Sequence, residues 1–153
     1  TAQVKIIEEA QKVVFDGTDL FDSYQVTFNI FEQSCFTILR RLLACDKTII
    51  IKEALANGRV FRNHQFPEYV EAYRYLEKLA KKHSVGIDAV ALRFVIDVLE
   101  PTLILSGGAH TNQIKENLKA LNFELDANEI AKLESFKVSS QHYWQERSNL
   151  KWN

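Results

Sequence analysis

The chain has 153 residues, 46% of them apolar and 25% charged, with a net charge of −1. That length fits one domain able to bury about two thirds of the surface its unfolded chain exposes. The near-zero charge removes the electrostatic reason to expect a nucleic acid or an anionic membrane as partner. No apolar run approaches the roughly 20 residues that cross a bilayer, and the opening residues do not read as a signal peptide, so neither a membrane span nor a leader is expected.

In chain order, Val4, Ile6, Ile7, Ala10, Val13 and Val14 recur at helical spacing, so a first helix is expected to end before Asp16 and Gly17. Residues 24–31 are rich in β-branched and aromatic side chains and read as a strand. Residues 36–44 read as a helix with Ile38, Leu39, Leu42 and Leu43 on one side. Residues 48–52 follow as an apolar strand of the kind found when both sheet faces are covered. Pro67 is suited to open a helix that continues to His83, and Asp88 to cap the next one. A strand over 103–105 and a helix over 111–121 come next. Asp126 with Glu129 three residues on forms a capping-box pattern for one more helix. The tail with Tyr143, Trp144 and Trp152 shows no regular spacing.

Cys35 and Cys45 lack metal-site spacing and read as free buried thiols of a reducing, cytoplasmic setting. His64, His83, His110 and His142 are scattered, none with a His or Cys four residues away, so no metal site is expected. Arg40, Arg41, Lys81 and Lys82 read as solvated helix faces.

Strands alternating with helices imply an α/β fold with a parallel sheet. Three strands leave two bare edges, which invite pairing with another chain, so a homo-oligomer is one expectation. A closed (β/α)8 barrel would remove the edges, but it takes about 250 residues. The chain also opens on Thr1 rather than Met, so a missing N-terminal segment is the other expectation.

The most informative stretch is 102–117, where a short apolar strand runs into Gly107 and Gly108 and a helix begins within five residues. A helix N-terminus presents free N–H groups and the positive end of a dipole, so this pattern suits a phosphorylated ligand. Read alone, Gly107 and Gly108 are an ordinary turn, Gly58 a loop glycine, Phe28 a core aromatic, and Gln113 and Asn117 solvated helix residues.

Together these segments resemble the aldo/keto reductase family. Residues 25–29 (Gln-Val-Thr-Phe-Asn) look like its Gln-x-x-Tyr-Asn/Ser segment on barrel strand six. Residues 50–58 are similar to its strand-seven Pro-Leu-x-x-Gly loop, with Ala54 in the proline's place. Residues 106–117 look like its strand-eight Gly-Ala turn and Gln-x-x-x-Asn helix, and residues 91–94 (Ala-Leu-Arg-Phe) resemble the helix before it. The resemblance implies a partial (β/α)8 TIM barrel made of the last three βα units, with residues 1–153 as one C-terminal, cofactor-binding portion.

It also implies roles. Phe28 would stack on a nicotinamide ring and Gln25 would bond its carboxamide. Leu55 and Gly58 would bound a loop wrapping the pyrophosphate, Gly107 and Gly108 would admit the adenosine end, and Gln113, Glu116 and Asn117 would contact adenine. The implied cofactor is NADP, with NAD possible because Ala109 stands where many relatives carry a residue that holds the 2′-phosphate; a charged His110 would substitute in part. The implied substrate is a small carbonyl or sugar-like compound. The family's catalytic Asp, Tyr, Lys and His sit on the first four strands, so no catalytic residue is expected in this chain, which should be inactive alone. A non-catalytic binding or assembly module is the other reading. The aromatic tail resembles the family's substrate-lining C-terminal segment, and a purely structural role fits it equally.

Overall fold

The computed structural model describes residues 2–150; Trp152 lies outside them. The chain opens with α1 (Ala2–Ala10), shorter than its apolar spacing suggests. Val14 belongs instead to a hairpin, β1 (Val14–Phe15) antiparallel to β2 (Thr18–Asp19). Asp16 and Gly17 make its two-residue loop, with φ of 53° and 76°. Asp-Gly is favoured there because both central residues of such a turn need positive φ.

Strand β3 (Ser23–Thr27) stops short of Phe31. Asn29 turns the chain, its Oδ1 accepting from the backbone N–H of Phe31 and of Glu32, each at 3.0 Å. A short side chain that offers the backbone a local acceptor competes with the strand ladder and ends it. Helix α2 (Phe36–Ala44) and strand β4 (Thr48–Lys52) keep their expected bounds.

A 3-10 turn at Pro67–Tyr69 leads into α3 (Val70–His83). Helix α4 (Ile87–Leu99) is capped by Gly86; Asp88 lies inside its first turn and accepts from the Ala89 N–H at 3.0 Å. Eight buried residues on α4 pack it against α2, α3 and the later helices, so it is the centre of the helical layer. Then come β5 (Leu103–Ile104) and α5 (Thr111–Leu118), whose last turn tightens into a 3-10 turn at Lys119–Leu121. Helix α6 (Ala127–Glu134) carries the expected capping box: Asp126 accepts from the N–H of Asn128 and Glu129, and Glu129 accepts from that of Asp126. The tail forms a helix, α7 (Ser140–Ser148), capped by Ser139. It buries only Tyr143, too few apolar positions to show a helical period.

Strands β3, β4 and β5 form one parallel sheet with β4 in the middle. Ile49 and Ile51 are fully buried while Thr48, Ile50 and Lys52 are half-buried, so helices cover one face of β4 and not both. On the covered face Tyr24, Val26, Ile49 and Ile51 meet the helical layer. On the other, Gln25 pairs with Ile50 and Ile50 with Leu103, and Gln25 and Leu103 are exposed. The outer edge of β3 is partly closed by α1: the Gln3 amide donates to the Thr27 carbonyl at 3.0 Å and accepts from the Thr27 N–H at 2.8 Å. Of the two thiols, Cys35 is buried and Cys45 is exposed, so only one matches the expectation of burial.

Candidate functional site

A cleft of about 500 Å³ opens at the C-terminal ends of β4 and β5, between the loop after β4 and the turn after β5. The loop is tightly coiled: Glu53, Ala56 and Asn57 have φ of 57°, 50° and 55°, and Gly58 has 85°. Left-handed non-glycine residues are costly and collect at ligand-binding sites. Within the loop the N–H of Ala56, Gly58 and Arg59 bond to the carbonyls of Glu53, Leu55 and Ala56. Those three amides shape the loop and do not point at a ligand.

On the opposite wall Gly107 has φ of 66° with open space where a side chain would stand. At Gly108 an added Cβ would lie 3.0 Å from Ile114, so the missing side chain lets α5 approach the turn. Gln113 Oε1 accepts from the N–H of Ala109 and His110 at 2.9 and 3.2 Å. This fixes the first turn of α5 and occupies donors that a phosphate would otherwise take.

The cleft brings together Leu55, Gly58, Gly107 and Gln113. Gln25 lies in a separate groove of about 440 Å³ with Ile6, Phe21 and Trp144. Lys52, at the end of β4, lines both. Phe28 is elsewhere: it has no exposed surface, stacks on Phe94 of α4 at 6.3 Å with planes 6° apart, and lies 6.5 Å from Phe36. Its faces are covered, so the expected stacking on nicotinamide gives way to a place in the core. Asn117 is 7% exposed and its amide donates to the Ser106 carbonyl at 3.2 Å, while Glu116 pairs with Lys119 at 2.6 Å. The three α5 residues therefore do not present one common open face; Asn117 braces the turn from behind.

Helix α7 packs over the loop after β4. Tyr143, fully buried, accepts from the Asn29 amide at 2.9 Å and donates to Glu53 at 3.4 Å. Arg147 grips Glu53 with its Nε at 2.8 Å from Oε1 and 3.0 Å from Oε2. Arg59, 1% exposed, lies over the Tyr143 ring at 4.0 Å and bonds Glu146 at 2.9 Å. Tyr69 also donates to Glu146, at 2.5 Å. Burial pushes the Tyr143 phenol up, more than Arg59 and Asn29 pull it down. Burial and the Glu146 acceptor push Tyr69 the same way. Both hydroxyls stay protonated and serve as structural donors, the opposite of a phenol tuned to release its proton near neutral pH.

Residues 2–138 match the aldo/keto reductase family. The chain belongs to that family. It is 33% identical over 61 residues to an aryl-alcohol dehydrogenase of Pestalotiopsis microspora, a stretch covering 40% of this chain and 16% of that protein. Its fold is similar to that of the aldo-keto reductase AKR11C1 from Bacillus halodurans, with a TM-score of 0.67 and 19% identity over 94% of this chain and 52% of that one. A mutant of Gox0644 solved in complex with NADPH gives a TM-score of 0.63 at 19% identity, covering 97% of this chain and 48% of its own. The chain thus spans about half the length of these solved structures. Identities this low speak for the α/β fold, with its helices over a parallel sheet.

In this member of the family, sequence reasoning overlooked Lys52 and the α7 residues that hold the loop, and gave Asn29 no role beyond its place in the 25–29 segment. Lys52 did carry a signal, as the only charged residue in β4 and at its C-terminal end, where ligands of parallel sheets bind. Among the described residues no helix is long and apolar enough to cross a membrane.

Proposed function

We propose that residues 1–153 act as one unit, the C-terminal portion of an aldo/keto reductase (β/α)8 barrel, and bind a nicotinamide dinucleotide. In this reading β3, β4 and β5 are the last three barrel strands. The single observation that carries it is the cleft that joins Leu55, Gly58, Gly107 and Gln113 to Lys52 at the strand ends. Loops after the last two strands of such barrels are the usual phosphate site.

Lys52 places a cation between the cleft and the groove of Gln25, suited to a pyrophosphate that spans the two. Gln25 would take the nicotinamide carboxamide, and Gly107 and Gly108 the adenosine end. Gln113 and Asn117 would act by fixing the turn, with Glu116 at the adenine rim. NADP is the favoured cofactor, supported by the NADPH-bound fold relative, and NAD stays possible because Ala109 offers no cation for a 2′-phosphate. The reaction would be reduction of a small carbonyl or sugar-like substrate in the cytoplasm, with catalytic Asp, Tyr, Lys and His outside these 153 residues. Tyr69, Tyr73, Tyr75 and Tyr143 are all shifted upward by burial, which supports leaving them out of the proton transfer. The open sheet face and the exposed Leu103 and Leu105 support completion of the barrel by further chain or by a second copy.

NADPH fluorescence is expected to change on titration with the chain, and Lys52→Ala to weaken binding about tenfold or more, the worth of a charge-assisted bond. Phe28→Leu, a core change, should leave the affinity of the folded protein unaltered. A wild-type chain that leaves NADPH fluorescence unchanged would sink the reading in favour of a non-catalytic assembly module.

A further inference from the structure

Against α7, separate from the cleft at the strand ends, a hollow of about 690 Å³ is bordered by Glu68, His142 and Glu146. Glu68 lies in the turn before α3; His142 and Glu146 are one helical turn apart on α7 and share a face. The His142 Nε2 is 3.8 Å from Glu68 Oε1 and 3.2 Å from Glu146 Oε1. One ligand atom from each residue falls within 4.8 Å of the other two.

Glu146 makes this more than a surface cluster. Its side chain is 9% exposed, and its Oε2 is held by Arg59 and Tyr69. Its Oε1 is shut off from solvent and has no hydrogen-bond partner among the described residues. A desolvated carboxylate oxygen without a partner is costly. The His142 Nε2 stands 3.2 Å from it without making a hydrogen bond to it.

A tetrahedral zinc ion with bonds of about 2.0–2.1 Å separates its ligand atoms by about 3.3 Å, and the observed 3.2 and 3.8 Å bracket that spacing. We propose that Glu68, His142 and Glu146 bind a divalent cation of the zinc class, with its fourth position open to the hollow. One imidazole and two carboxylates suit such an ion, whereas calcium takes six to eight oxygens. The bonds from Arg59 and Tyr69 hold the Glu146 carboxylate in orientation, as outer partners of ligating carboxylates do. The ion would staple α7 to the start of α3 and so hold the Tyr143 and Arg147 contacts to the loop after β4. The site does not depend on the nucleotide reading.

Calorimetric titration of the EDTA-stripped chain with zinc chloride tests this. The wild type should show one saturable site and a higher melting temperature in zinc. His142→Ala and Glu68→Gln should each lose at least the about tenfold in affinity that even outer partners contribute, and should lose the thermal shift. Both side chains are about half exposed, 46% and 44%, so the variants should fold as the wild type does without zinc. No saturable heat in the wild type, or unchanged affinity in both variants through exposed groups such as Cys45, overturns the site.

Discussion

Replacing Asn29 by Ala is expected to destabilise the protein by about 3–5 kcal/mol, several times the usual cost of a point substitution. Asn29 has no exposed surface and its amide makes four bonds. The oxygen accepts from the N–H of Phe31 and Glu32; the nitrogen donates to the Glu53 carbonyl at 2.9 Å and to Tyr143 Oη at 2.9 Å. Alanine would strand two buried backbone donors and an acceptor, each costing about 1–3 kcal/mol when left unmet. It would also cut the tie between the turn after β3, the loop after β4 and α7. Chemical denaturation at equilibrium measures the loss. A change below about 1 kcal/mol would mean that the turn is held by something other than this amide.

Asn29 also marks how far the sequence could be read. Helix α2 was legible from its apolar period, and strand β4 from its run of three β-branched isoleucines. The capping box at Asp126 was legible because its chemistry is local. The hairpin at Asp16 and Gly17 was missed because Val13 and Val14 continue the spacing of α1, though Asp-Gly is a strong turn signal in itself.

The site divides in the same way. Gln25 sits on the exposed face of β3, whereas Phe28 lies just past the strand's end and is buried against Phe94 and Phe36. The match to the Gln-x-x-Tyr segment carried no signal of that burial, because Phe94 is distant in sequence. Helix α7 and its partners were illegible for another reason. Tyr143, Glu146 and Arg147 meet Asn29, Glu53, Arg59 and Tyr69 across 77 to 114 residues, and no local pattern reports contacts that distant. A His142–Glu146 pair at i, i+4 was visible in the sequence, but only a search widened beyond His and Cys mates would have noticed it.

Arg59→Ala should also cost about 3–5 kcal/mol, because breaking a buried ion pair on one side strands the other charge. The guanidinium is 1% exposed and bonds the Ala56 carbonyl at 3.0 Å, the Tyr143 carbonyl at 3.3 Å and Glu146 at 2.9 Å. It also lies 4.0 Å over the Tyr143 ring, a contact worth about 2 kcal/mol when desolvated. Without Arg59 the Glu146 carboxylate keeps only the Tyr69 hydroxyl on its Oε2. If the stranded charge causes the loss, Arg59→Ala with Glu146→Gln should cost clearly less than the sum of the two single changes. If lost packing on Tyr143 causes it, the two costs should simply add. Trp144, next to Tyr143 and 5.3 Å from the Arg147 guanidinium, reports the consequence. Its emission should shift to the red in the single variant as α7 loosens, and recover in the double one, since what keeps α7 docked is a charge that must be matched where water cannot reach it.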